Sequence, residues 1–130
     1  MQNQAAASVL PWAVDTPFWE HTANYSGGTP RMETMDGPEA TVDAIVWTAI
    51  HPQKEVGPGC KAGGAVVSAQ TWPGLAERLA ADLAQHSQFD TAPPALPTDG
   101  NLFYPMQAGT GVEGGTRERM RREDRARLGE

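Results

Sequence analysis

Pro11-Trp12-Ala13-Val14-Asp15-Thr16-Pro17 is the stretch on which the reading of this chain turns. Before it, Ala5-Ala6-Ala7-Ser8-Val9-Leu10 is a run of small and apolar residues. Such a run suits the end of a buried strand, because a strand covered on both faces lacks the alternation of a half-exposed one. Pro11 has no amide hydrogen to give to a sheet ladder, so the strand is expected to stop there. Prolines at both ends then bound a short, stiff loop. Taken alone, a Pro-bounded loop implies no chemistry, and its neighbours decide what it means.

Downstream, residues 15–36 follow neither the helical nor the strand period. Gly27-Gly28 and Thr29-Pro30 break the chain, and Phe18, Trp19 and Tyr25 supply aromatic surface. A loop of this length inside a domain is uncommon and is often functional. Residues 37–51 then predict a helix. Asp36 suits its N-cap, Pro38 sits in the first turn, where a missing amide costs little, and Glu39 stands where a capping-box partner would. Val42, Ile45, Val46, Ala49 and Ile50 share one face at helical spacing. His51-Pro52 ends the helix, since proline disfavours a helical residue before it.

A short strand is expected near residues 54–67, at Glu55-Val56 or at residues 65–67. A second helix is expected over residues 72–86, with Thr71 as N-cap and Trp72, Leu75, Leu79 and Leu83 along one stripe. Residues 1–89 thus form the organised part. Residues 90–130 read as a tail, first proline- and glycine-rich and extended or disordered, then arginine-rich. Residues 116–127 are compatible with a helix, but Met120 is their one large apolar side chain, so packing is not expected to hold it.

Composition sharpens this. Hydrophobic residues make up 39% of the 130, and Gly 14 with Pro 11 occupy nearly a fifth of the chain. Two amphipathic helices and a strand end cannot close a core, because each apolar face needs a partner layer. Without disulfides or metals, so small a core is marginal. The chain therefore reads as part of a larger unit. Residues 117–130 hold six arginines against Glu118, Glu123, Asp124 and Glu130, so a tail of net +2 follows a body of net −8. An acidic body gives no electrostatic reason to bind nucleic acid, and the acids among the arginines suit a solvated tail or exposed helix better than a nucleic-acid arm. Cys60 is the single cysteine, which excludes an intrachain disulfide and fits a reducing compartment. No apolar run approaches a membrane span, and Met1-Gln2-Asn3-Gln4 lacks the positive charge of a leader. A cytoplasmic protein is expected.

With these elements placed, residues 11–17 resemble the segment after the sixth strand of short-chain dehydrogenases/reductases, often Pro-Gly-x-Val-x-Thr-Pro. The likeness continues in order. Phe18-Trp19-Glu20-His21-Thr22-Ala23-Asn24-Tyr25 resembles that family's substrate-binding loop. Residues 36–51 resemble the helix after it, Lys54-Glu55-Val56 the start of the last strand, residues 72–85 a C-terminal helix, and Gly100-Asn101-Leu102-Phe103-Tyr104-Pro105 the tail of some bacterial members. The resemblance implies an α/β fold: the C-terminal fragment of a Rossmann-like doubly wound parallel sheet, with long loops and a disordered or solvated tail. It also implies an NAD(P)-dependent oxidoreductase acting on a carbonyl or alcohol. Pro11 would turn the chain at the carboxyl end of its strand, where open α/β sheets bind ligands. The Val14 backbone and the Thr16 hydroxyl would meet the nicotinamide carboxamide of NAD or NADP. Phe18, Trp19, His21 and Tyr25 would face a small-molecule substrate. Trp12 stands where the family usually has a small residue.

The same family needs a Gly-x-x-x-Gly-x-Gly turn to cradle the pyrophosphate and a Tyr-x-x-x-Lys pair for proton transfer. Thr29 follows Tyr25 at the required spacing and Ala108 follows Tyr104, so neither is that pair. No catalytic residue is expected in this chain, and in a full-length member both motifs would lie upstream of Met1. Gly109-Thr110-Gly111-Val112-Glu113-Gly114 matches a dinucleotide fingerprint in letters only, because such a turn must follow a strand and open a helix. His21, His51, His86 and Cys60 show no metal-ligand spacing. Three roles follow as expectations. The first is the substrate-binding piece of an oxidoreductase. The second is a non-catalytic binding or oligomerisation module, in which helix faces make a homo-oligomer. The third, least suited to the charge, is a nucleic-acid binder using the basic tail.

Overall fold

The apolar run before Pro11 forms only a scrap of strand. In the computed structural model, which describes residues 6–129, Ser8–Val9 (β1) pairs in parallel with Glu55–Val56 (β2), Ser8 opposite Glu55 and Val9 opposite Val56. Bonds from the Ser8 amide to the Lys54 carbonyl (3.1 Å) and from the Leu10 amide to the Val56 carbonyl (2.8 Å) complete the ladder, and Pro11 ends it. Ser8 and Leu10 are exposed and Val9 is half-buried, so this is not the strand covered on both faces that the run suggested. Residues 1–5, which include Ala5 and the Met1-Gln2-Asn3-Gln4 segment read as lacking a leader's charge, lie outside the described residues.

Among the described residues five helices follow: Phe18–His21 (α1), Pro38–Ile50 (α2), Gly59–Thr71 (α3), Pro73–Gln85 (α4) and Thr116–Leu128 (α5), with a π-helical turn at His86–Asp90 after α4. The chain is thus mixed, largely helical, with a small two-stranded parallel sheet, an arrangement compatible with α/β.

The N-cap of α2 is Gly37, not Asp36. Asp36 is committed elsewhere: its amide bonds the Ala13 carbonyl at 2.8 Å and its carbonyl accepts from the Asp15 amide at 2.9 Å. This parallel bridge ties the Pro-bounded loop to the foot of α2. The side of α2 turned inward carries small residues, with Pro38 and Thr48 buried. The Thr48 hydroxyl is satisfied by the Ala44 carbonyl at 2.6 Å. Val42, Ile45, Val46 and Ile50, the face that periodicity predicts as core, are each more than half exposed.

Of the two strand positions in residues 54–67, Glu55–Val56 is the strand, and residues 65–67 belong to α3. Glycine disfavours a helix by about 1 kcal/mol per residue, so Gly59, Gly63 and Gly64 disguise α3 as loop. Close packing explains it. A Cβ on Gly57 would lie 3.0 Å from the Gly63 nitrogen, so the chain folds tightly back on α3 and buries Ala62. Thr71 closes α3 rather than capping α4, whose N-cap is Trp72. The two helices pack as neighbours.

Residues 90–130 are not a separate solvated tail. The Asn24 and Thr98 amides exchange bonds with each other's carbonyls at 2.8 and 2.9 Å, and the Ala95 amide bonds the Gly27 carbonyl at 2.9 Å. The chain then returns through α5, which lies on residues 12–37. The buried apolar side chains are Met35, Ala62 and Met120 among the described residues. More polar residues than these are buried: Asp15, Arg31, Thr48, Ser87 and Thr116.

Candidate functional site

The best-built polar centre surrounds Asp15, in the middle of the Pro-bounded stretch. Its side chain is 4% exposed. One carboxylate oxygen accepts from the Thr116 amide at 2.8 Å; the other accepts from the Arg117 amide and from Arg117 Nε, both at 3.1 Å. The first amides of a helix have no partner within it, and Asp15 satisfies two of them from about a hundred residues away. Gly115 makes this possible with a left-handed backbone, φ 69°. Gly114 allows close approach, since a Cβ there would lie 2.2 Å from the Thr16 carbonyl oxygen. Burial pushes the Asp15 carboxyl up, but the Arg117 amide, the Thr116 amide and the Arg117 guanidinium outweigh it and hold its pKa below the usual carboxylate range.

Arg31 anchors the other end of α5. Its side chain is 6% exposed; Nη2 lies 2.7 Å from Asp124 and Nη1 3.8 Å from Glu123, while Nη1 also donates to the Thr91 carbonyl at 3.0 Å. Arg119 donates to the Pro30 carbonyl and to Glu123. Met120 is the apolar contact at the middle. The arginine-rich helix is held by partners placed along the loop rather than by an apolar face.

The residues singled out in the sequence are partly brought together. Pro11 is exposed, whereas Val14 and Thr16 are half-buried beside Asp15. The Val14 carbonyl accepts from the Trp19 indole N–H at 2.9 Å and from the Thr16 amide at 3.0 Å, which engages both its lone pairs. Trp19 also lines a cleft of about 530 Å³ with Thr22, Pro30, Leu96, Gly114 and Arg119. Phe18 meets Trp19 edge-to-face, centroids 5.8 Å apart, but is exposed and does not line that cleft. His21 Nε2 bonds the Ala108 carbonyl at 2.8 Å. The Tyr25 hydroxyl donates to Asp99; that hydrogen bond, then desolvation and the Asp99 charge, raise the phenol's pKa. Such a tyrosine holds its proton, unlike one prepared for proton transfer at neutral pH.

Asp15, Arg31 and Arg117 escaped the sequence reading as site residues. One signal was present: Arg31 is the first cation of an otherwise acidic chain and stands alone until Lys54. No cluster of side chains among the described residues suits a metal ion. None of the described helices is long and apolar enough to cross a membrane.

No protein-family model matches the chain, and no solved structure matches it. Among curated proteins, the uncharacterized oxidoreductase YxnA of Bacillus subtilis (strain 168) is 30% identical over 116 residues, 85% of this chain and 32% of that protein. The chain therefore spans about a third of the length of this relative. In general terms, the likeness is to an oxidoreductase.

Proposed function

We propose that this chain is the substrate-binding C-terminal part of an NAD(P)-dependent oxidoreductase of the short-chain dehydrogenase type, acting on a carbonyl or alcohol and not catalytic by itself. One observation carries the reading: 85% of the chain aligns with an oxidoreductase of which it covers only 32%. Three others support it. A parallel pair of two-residue strands is a ladder without a sheet, and parallel sheets depend on cover over both faces. The apolar face of α2 is open, as it would be if a sheet belonged there. The ordered motifs from Pro11 to Tyr104 fit the family.

Within this reading, Pro11, Val14 and Thr16 lie toward the cofactor, and Trp19 with the cleft beside it lies toward the substrate. Phe18 and Tyr25 are exposed, and half-buried His21 is held against the Ala108 carbonyl. The Val14 carbonyl, with both lone pairs engaged, does not fit a carboxamide as it stands; Trp19 would have to release it. Binding of NAD or NADP therefore belongs to the intact enzyme, and hydride transfer depends on residues outside this chain.

The test is genetic and enzymatic. The DNA upstream of the Met1 codon is expected to continue in frame through a Gly-x-x-x-Gly-x-Gly turn and a Tyr-x-x-x-Lys pair. The longer product is expected to reduce or oxidise the nicotinamide cofactor, whereas the 130-residue chain is not. Turnover by the short chain would overturn the assignment. The exposed faces of α2 and α4 favour a second reading, a homo-oligomeric module without catalysis. Light scattering that shows one discrete oligomer with a cooperative melt, and no upstream frame, would favour it.

A further inference from the structure

We propose that the cleft between α5 and residues 31–36 binds a small molecule carrying two or more negative charges, through Arg121 and Arg127 with Lys61 opposite. This goes beyond the oxidoreductase reading and does not depend on it. The cleft measures about 480 Å³, within the range of about 300–1,000 Å³ typical of small-molecule sites. Arg117, Arg121 and Arg127 line it from α5, and Arg31 and Lys61 from the other wall; Glu33 and Asp124 are the carboxylates in the lining. The arginines stand at helical spacing, so they project from one side of α5.

Their commitments differ. Arg31 is buried and holds Asp124 at 2.7 Å, and Arg117 is held by Asp15. Lys61 meets Asp36 at a half-exposed pair. Arg121 and Arg127 have only loose, exposed partners: Glu118 at 3.6 Å for Arg121 and Asp124 at 3.8 Å for Arg127. Asp124 is already claimed by Arg31, and Glu118 is shared with Arg125, also at 3.6 Å. Exposed pairs of this kind contribute little, so an incoming anion gives up little by displacing them. His86 lies 3.4 Å from Glu33 and offsets that carboxylate when protonated. A planar guanidinium matches a phosphate or a carboxylate with two parallel bonds. The size of the cleft and the body's net −8 favour a small anion over a nucleic-acid strand, whose neighbouring phosphates would meet repulsion.

The experiment is calorimetric titration of the 130-residue chain with inorganic pyrophosphate and, in a separate arm, citrate, at matched ionic strength. Saturable one-site binding is expected, with pyrophosphate favoured if the ligand is a phosphate and citrate if it is a carboxylate. R121Q/R127Q should weaken binding by about tenfold or more, the loss expected of two bidentate donors. R122Q, on the cleft beside Trp19 instead, should leave it unchanged. Absence of saturable binding in both arms would overturn the proposal. So would an equal loss in R122Q, which would indicate diffuse charge, or tighter binding of a single-stranded oligonucleotide than of either probe. Failure here would leave the oxidoreductase reading untouched, because that one is decided by the upstream frame and turnover.

Discussion

Asp15 is 3% exposed and Ile50 is 71% exposed. The seam between α5 and residues 12–37 buries charges, and the outer face of α2 leaves branched hydrocarbon in water. In a self-contained domain the two would be exchanged. In the seam most carboxylates, guanidiniums and helix amides meet partners within hydrogen-bond distance, with buried Arg31 Nε and Glu123 Oε2 as exceptions. The α2 face has no such closure. The contrast teaches that these parts of the chain stand in different relations to what surrounds them. The seam is closed by residues of this chain, whereas the α2 face is left uncovered; in the oxidoreductase reading proposed above, that face belongs to a junction with the rest of the enzyme.

The comparison breaks most readily at Arg31. R31A leaves Asp124 and the largely buried Glu123 without their shared cation. Breaking a buried pair costs about 3–5 kcal/mol; because Asp124 is half-exposed, about 3 kcal/mol is expected, read by urea denaturation. A loss under about 0.5 kcal/mol, the size of an ordinary surface substitution, would mean that the seam does not hold α5. Next is G114A, which places a methyl against the Thr16 carbonyl; overpacking against backbone costs about 1–3 kcal/mol, and the same melts report it. D15A removes the remote cap and should cost about 1–2 kcal/mol, with D15N losing less because an amide oxygen still accepts one bond.

Acid tests the same carboxylate. The folded-state pKa of Asp15 lies below its ordinary value, so its contribution is complete above the unfolded value of about 3.9 and is lost as pH falls through the folded value. Stability followed from neutral pH downward should therefore fall below about pH 4, and D15N should flatten that part of the curve. The smallest effect belongs to the other region. I45E on α2 should change the stability of this chain by no more than about 0.5 kcal/mol, yet it should lower the binding of a hydrophobic dye. In the longer oxidoreductase proposed above, the same substitution should be strongly destabilising. Equal costs in both settings would erase the distinction between seam and junction.

How far all this was legible depends on the range of the interactions. Helices α2 and α4 show in the sequence because apolar spacing and a proline in the first turn are local signals. Their faces were legible too, but not what they face, because periodicity marks a surface that needs cover and is silent on whether these residues provide it. Helix α3 was hidden because its glycines read as loop, and only the close approach of Gly57 and the burial of Ala62 explain it. The seam was illegible for a different reason. Arg31 and Asp124 are 93 positions apart and Asp15 and Arg117 are 102 apart, and no window of sequence contains both members. In the Pro-bounded stretch the letters led to Val14 and Thr16, while the side chain that ties the stretch to α5 is the aspartate between them.

Those separations bear on how the molecule is made. A ribosome delivers Asp15 about a hundred residues before Arg117 and Asp124, so the acid waits in an open chain until α5 is made. Closing so long a loop is entropically costly and slows folding relative to local helix formation. Helices α2 to α4 are expected to appear first on the nascent chain. Helix α5 then acts as a clasp, and removing even part of it should leave the early loop without its fastening.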